Sequence, residues 1–319
     1  MSIKIRLLNY SDSLGGSEKL FEKISQVDSR FVLFVFRKTN SFVRDAFKLL
    51  SFIKSNHINY IVCSNIKLMP IGLFCRRLIF RPSTDYFNRN GKIKIFIYRV
   101  YLSLFGRFCY GVIFQSHYLE VKYGRYFKGK SIILSNPLLH VCQNYTLDET
   151  LENKYFSDIC VVGRLDLNKR HSDILKSVSK LDISSDLKIV FLGDGKERKS
   201  LCVLADELNL NLEMFTVIES CEYIRYIRGA RLCLLNSRVE GYPNVLSDYK
   251  EYSNSFLISR SSQAFDRESL GGHLYSIDVD NRRLASLIEG ALQRPNNTDK
   301  KWEVLSIEEY ADNLCSELL

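Results

Sequence analysis

The constraint that most limits how this chain can fold is an alternation along nearly its whole length. Short, continuous apolar runs are separated by longer amphipathic stretches. In the first half the runs lie at 3–8, 31–36, 59–64, 77–80, 111–115 and 131–134, with helical patterns at 16–26, 41–55, 66–76, 92–109 and 117–126. The second half repeats the scheme, with runs at 157–163, 188–193, 213–216, 232–236, 255–259 and 273–277. Its helical patterns are at 170–181, 196–208, 221–229, 244–252, 281–293 and 302–318. Strands that are apolar throughout are covered on both faces, the signature of parallel sheet under helices. Two such series predict two doubly wound α/β domains. The weakly periodic stretch 136–156 marks the join, which gives domains 1–150 and 151–301 and a last helix over 302–319. In open parallel sheets ligands bind beyond the carboxyl ends of the strands. Two such domains facing each other would form a cleft there.

Charge is unevenly divided. Residues 1–150 hold 23 Lys+Arg against 9 Asp+Glu, a net of +14, and 151–319 hold 22 against 27, a net of −5. The asymmetry points to an anionic partner for the first half only. The nine cysteines include no CxxC and fall mostly in apolar runs, which reads as buried thiols in a reducing compartment. The N-terminal stretch has no long apolar core, so no signal peptide is expected. The most apolar segment, 96–114, is interrupted by Arg99 and Arg107, so no spanning helix is expected either.

Four motifs fall at strand ends. Leu14-Gly15-Gly16-Ser17-Glu18 follows the first strand and opens a helix, where glycines admit a ligand to the backbone and free N–H groups meet phosphate. It is not GxGxxG, so a nicotinamide or flavin reading has no support. Gly163-Arg164-Leu165-Asp166-Leu167-Asn168-Lys169-Arg170 places Arg164 and Lys169 on one loop, able to grip a diphosphate from two sides. Gly193-Asp194-Gly195 is a second strand–turn–helix junction, where Asp194 can close the turn itself. Ser237-Arg238-Val239-Glu240-Gly241-Tyr242-Pro243-Asn244-Val245-Leu246-Ser247-Asp248 is the richest motif. It carries two acids, Glu240 in the loop and Asp248 in the helix, beside amides of 241–245 suited to an anion. The bland readings are a helix-start turn, a solvated basic loop, an ordinary βα turn and a capped helix with two surface acids.

In this order the motifs resemble the group 1 (family four) glycosyltransferases, which have the GT-B fold of two Rossmann-like domains. The resemblance covers nearly the whole chain and is strongest over 157–250. It implies a retaining transfer of a sugar from a nucleotide-sugar, with a uridine diphosphate favoured, and no metal or other cofactor. By the same resemblance Glu240 contacts the transferred sugar, and Arg164 and Lys169 neutralise the leaving diphosphate. Gly15, Gly16, Gly193, Asp194, Gly241, Tyr242, Asn244, Val245 and Asp248 bind the nucleotide-sugar, with Asp248 at the ribose hydroxyls. The N-terminal domain takes the acceptor, with Arg81 of Phe80-Arg81-Pro82 at its site. The last helix crosses back to that domain. Four positions depart from the family pattern: Asp248 replaces a glutamate, Arg170 a glycine, Arg231 an acid, and Ser253-Asn254-Ser255 a G-x-P.

Asp278-Val279-Asp280 has the form of a metal-binding DxD, but its place before a helix reads as capping. His57 and His117 read as ordinary histidines. Residues 67–130 hold 13 Lys+Arg against Asp85 and Glu120, with aromatic and aliphatic residues interleaved. That composition suits an anionic membrane surface and, with no recognition module, not nucleic acid. The expected function is elongation of a lipid-linked surface-polysaccharide or lipopolysaccharide precursor by a cytoplasmic enzyme docked on the inner face of the membrane. The alternative is a degenerate, non-catalytic binding or scaffold protein of the same fold.

Overall fold

The computed structural model describes residues 4–9, 16–35, 44, 47–48, 51, 60–75, 77–87, 91–142, 154–216, 219–259, 274–275, 279–293 and 302–318. Gly15, His57, Asp278, most of the helical pattern at 41–55 and residues 143–153 of the expected join lie outside them. The chain divides into two compact units. The first comprises Met1–Leu139, Gly241–Asn244 and Leu305–Leu319, and the second His140–Glu240 and Val245–Val304.

In the first unit the strands are β1 (Ile5–Asn9), β2 (Phe31–Val35), β3 (Tyr60–Cys63), β4 (Leu78–Phe80), β5 (Gly111–Phe114) and β6 (Lys130–Ile133). They form one parallel sheet in the order β2-β1-β3-β4-β5-β6. Helices α1 (Gly16–Val27), α2 (Lys92–Phe105) and α3 (His117–Tyr123) connect strands of this unit. The apolar stretch at 66–76 forms a 3₁₀ helix, Ile66–Leu73, and not the α-helix its length suggests. Pro70 within it cannot donate the hydrogen bond an α-helix would need. The last helix, α9 (Ile307–Leu318), belongs to this unit and buries Tyr310, Ala311 and Leu314 with Leu20, Phe21 and Ile24 of α1.

The second unit contains β7 (Ser157–Val162), β8 (Lys188–Leu192), β9 (Asn211–Phe215), β10 (Ala230–Leu235), β11 (Phe256–Ser259) and β12 (Leu274–Tyr275). Its helices are α4 (His171–Val178), α5 (Arg198–Glu207), α6 (Ser220–Gly229), α7 (Val245–Tyr252) and α8 (Asn281–Leu292). The sheet is again parallel, in the order β12-β11-β10-β7-β8-β9. Read from β7, the chain builds outward to β9, then returns to the other side of β7 and builds outward to β12. Strand order therefore reverses between β7 and β10, which lie side by side in the sheet. That switch point is where an open α/β sheet binds its ligand. The unit's core is apolar, from Ile159, Val161, Ile189, Phe191, Leu232 and Leu234 of the strands to Ile174, Leu201, Leu284 and Ile288 of the helices.

The cysteine reading requires correction. Cys142 and Cys221 form a disulfide within the second unit. Cys63, Cys75, Cys109, Cys160 and Cys233 are buried thiols as expected, whereas Cys202 is exposed. Sequence spacing could not pair two cysteines 79 residues apart. Asp280 caps α8, its Oδ1 accepting the Arg283 N–H at 2.8 Å, which is the capping role expected of that acid.

Candidate active site

The loops leaving β7 and β10 meet at the switch point of the second unit. Asp166 shapes the first: its Oδ1 accepts the N–H groups of Asn168 at 3.0 Å and Lys169 at 3.3 Å. Asn168 then ties the two loops together. Its Nδ2 donates to the Val239 carbonyl at 3.0 Å, and its Oδ1 and carbonyl accept from Val239 N (3.2 Å) and Arg238 N (2.6 Å). This clamp brings Lys169 to Glu240, with Nζ 2.7 Å from Oε1 and both side chains about one-sixth exposed. A lysine ammonium has three N–H donors, so Glu240 leaves two for phosphate oxygens. Partial burial strengthens such charge-assisted bonds relative to water. Arg164 is 69% exposed, its Nε 3.8 Å from Asp166 Oδ2, and is free to swing onto an anion.

Two neighbours complete this corner. Gly193 follows β8, and a Cβ there would lie 2.0 Å from the Gly163 carbonyl oxygen, so only glycine lets the loops after β7 and β8 pack. Asp194 is exposed, and its carbonyl accepts from Leu165 N at 2.9 Å. Arg170, where the family pattern has glycine, adopts φ 51°, the left-handed conformation that glycine reaches most easily. Its Nε bonds Asp173 Oδ2 at 2.7 Å in the first turn of α4. Next to it His171 is buried against Phe191, both ring nitrogens without a partner among the described residues. Burial, with the Lys169 charge second, lowers its pKa to about 3, so the ring is neutral.

Asp248 lies in the first turn of α7 and is 1% exposed. Its Oδ2 accepts from Tyr223 Oη at 2.8 Å and meets His140 Nδ1 at 3.1 Å, while its Oδ1 is buried without a partner among the described residues. Burial, and next the Asp248 charge, raises the Tyr223 phenol well above its ordinary pKa, so it stays a donor. Arg231 sits at the other end of β10, bonded to Asp158 Oδ1 (2.8 Å) and the Leu292 carbonyl (2.9 Å). That end of the sheet is remote from the strand carboxyl ends, so exchange of an acid for arginine there leaves Lys169 and Glu240 untouched.

Of the remaining expected residues, Gly16, Arg81, Gly241, Tyr242 and Asn244 belong to the first unit, and Val245 opens α7 in the second. Asn136 Nδ2 donates to the Tyr242 carbonyl at 2.9 Å and to Asn244 Oδ1 at 2.6 Å. Asn244 Nδ2 donates to the Gly16 carbonyl at 2.9 Å, and a Cβ on Gly16 would lie 2.9 Å from that same Nδ2. Arg81 is 1% exposed and does not project from the end of β4. Its guanidinium donates to Asn136 Oδ1 and, through Nε, to Tyr310 Oη at 3.1 Å. Asn136, Tyr310, His140 and Tyr223 were not among the residues expected from sequence. Asn136 and Arg81 both stand just past a strand's carboxyl end, a signal that could have drawn attention to Asn136. His140 is 108 residues from Asp248, and no local pattern marks it.

Comparison with known proteins defines the class first. Over 100% of this chain, the fold superimposes on α,α-trehalose 6-phosphate synthase from Burkholderia multivorans with a TM-score of 0.73 at 11% identity, covering 98% of that chain. Anabaena Alr3699/HepE, solved in complex with UDP, gives 0.72 at 16% identity, covering 98% of this chain and 95% of that one. The fold is GT-B. Within it, residues 147–264 match the family described as glycosyl transferases group 1. A Campylobacter jejuni relative is 31% identical over 129 residues, 40% of this chain. It is the GalNAc-α-(1→4)-GalNAc-α-(1→3)-diNAcBac-PP-undecaprenol α-1,4-N-acetyl-D-galactosaminyltransferase. The matched stretch spans only 34% of that relative's length.

Proposed function

We propose that the protein is a retaining glycosyltransferase that moves a sugar from a UDP-sugar onto a lipid-linked glycan in bacterial surface-polysaccharide or lipopolysaccharide assembly. The observation that carries this reading is the Lys169–Glu240 pair at the topological switch point of the second unit. A nucleotide diphosphate leaves readily once cations and helix amides meet its growing charge. Lys169 and Arg164 supply the cations, and the positive end of the α7 dipole, at Val245, adds to them. No metal or other cofactor enters the reaction. Glu240 faces the transferred sugar, and Asp248 takes a ribose hydroxyl on Oδ1. The matched relative, whose name states an N-acetylgalactosaminyl transfer to an undecaprenol-linked glycan, supports a UDP-N-acetylhexosamine as donor. A thermal-shift screen of nucleotides tests the donor half, because a ligand of the native state raises its stability. UDP and UDP-sugars are expected to raise the melting temperature more than ADP or GDP. No shift with any nucleotide at millimolar concentration overturns the reading.

The acceptor half rests on α2. Ile93, Phe96, Ile97, Val100 and Leu104 form one stripe at helical spacing, and they are 43–78% exposed. Lys92, Lys94 and Arg99 on the same helix are exposed as well, whereas Leu102 is buried in the unit's core. An apolar stripe edged by cations fits the interface of a membrane with anionic lipids. The enzyme then works at the cytoplasmic leaflet, peripherally bound; no helix among the described residues is long and apolar enough to cross a membrane. Flotation with phosphatidylglycerol vesicles at low salt is expected to carry the wild type, and to leave the triple variant Ile93→Asn, Phe96→Asn, Ile97→Asn behind. Equal flotation of both contradicts this part.

A further inference from the structure

The disulfide and the buried acid share a neighbourhood. His140 is two residues before Cys142, and Tyr223 is two residues after Cys221. The bridge therefore staples the segment beginning at His140 to the first turn of α6, and the two rings it draws together both sit on Asp248 Oδ2. Their centroids are 4.3 Å apart. Tyr252 Oη fixes the same segment by donating to the His140 carbonyl at 2.9 Å. With Oδ2 occupied, the carboxylate cannot turn without losing both contacts. Its other oxygen, Oδ1, is left buried without a donor among the described residues. An orphaned carboxylate oxygen costs free energy that a ligand hydroxyl can recover. Aspartate is one methylene shorter than glutamate, so this acid reaches less far by itself and depends more on being held.

We propose that His140 and Tyr223 are positioning residues for Asp248, and that the Cys142–Cys221 bridge holds them there, making nucleotide affinity sensitive to thiol redox state. The inference rests on the reading of Asp248 as a ribose contact. The redox step is ordinary exchange. A dithiol gives two electrons and two protons to the bridge, leaves as its own disulfide, and Cys142 and Cys221 become thiols.

Calorimetric titration with UDP tests this on the full chain, with circular dichroism and melting curves confirming that each variant folds. Tyr223→Phe keeps the ring and is expected to weaken UDP about tenfold, as is Asp248→Asn. The double variant is expected to bind no more weakly than Asp248→Asn alone, because a residue that acts only through the carboxylate has nothing left to position. Dithiothreitol is expected to weaken wild-type binding reversibly and to leave the already weakened Cys142→Ser/Cys221→Ser variant unchanged. Additive losses in the double variant overturn the positioning role. Unchanged UDP affinity of reduced wild type overturns the role of the bridge. Wild-type affinity in Asp248→Asn overturns the ribose reading itself and this inference with it.

Discussion

Lys169 Nζ lies 2.7 Å from Glu240 Oε1, although 71 residues separate the two in sequence. The contact exists because strand order reverses between β7 and β10, which brings the loops leaving both strands to one place. The Asn168 clamp sets its geometry. Lys169→Ala is expected to weaken UDP binding about tenfold or more by removing a phosphate donor. Lys169→Arg is expected to recover only part of the loss, since a guanidinium fork does not replace a point charge held by one carboxylate oxygen. Calorimetry with UDP reads both.

Gly193→Ala places a Cβ where the Gly163 carbonyl oxygen stands, 2.0 Å away. The loops must separate, and the expected cost is about 3 kcal/mol. Urea denaturation monitored by circular dichroism measures it. A loss under about 0.5 kcal/mol, the range of an ordinary surface substitution, would show that the loops after β7 and β8 do not pack this way.

His171 supplies a pH dependence. Its folded-state pKa, about 3, lies below its ordinary value of 6.5. Between those values the unfolded chain binds the proton that the folded chain refuses. Stability is therefore fully present above pH 6.5 and falls as the pH drops toward 3, by up to about 1.4 kcal/mol per unit. His171→Phe is expected to flatten that part of the profile between pH 6.5 and 4. Parallel profiles of wild type and variant would contradict a neutral buried imidazole.

Arg81 joins β4 to α9 through Tyr310 and to the 241–244 segment through Asn136, within the first unit. Arg81→Met removes the buried donors to Asn136 Oδ1 and Tyr310 Oη. It is expected to lower stability by about 3 kcal/mol. Tyr310→Phe, which deletes one acceptor and keeps the ring, is expected to cost less. Melting curves of the two variants check the order.

The layered architecture was legible because both faces of each sheet are covered, which makes the strands uniformly apolar, as in Ile-Val-Cys at 61–63 and Ile-Cys-Val-Val at 159–162. The place of the candidate site was legible for a related reason: Gly163 through Lys169 and Ser237 through Asp248 are contiguous stretches at strand ends. What sequence did not show is what long-range packing decides. Arg81 reads as an acceptor-site cation at a strand end, and only the approach of Tyr310 and Asn136 makes it a buried connector. Arg170 reads as a loss of the family's glycine, yet the chain keeps the left-handed conformation and pairs the side chain with Asp173. The Cys142–Cys221 bridge and the His140–Asp248–Tyr223 contact join segments that share no local pattern.

The central claim is that Glu240 serves sugar transfer from a UDP-sugar. The most direct measurement is release of UDP from a UDP-N-acetylhexosamine, with and without a diphospho-lipid-linked glycan acceptor, by wild type and Glu240→Ala at equal folded concentration. The account predicts slow release by the wild type that accelerates with acceptor, a product with the donor's anomeric configuration, and a fall of about 100-fold or more in Glu240→Ala. Equal background rates for wild type and variant, with UDP still bound by both, would contradict it and make the protein a non-catalytic binder of the same fold.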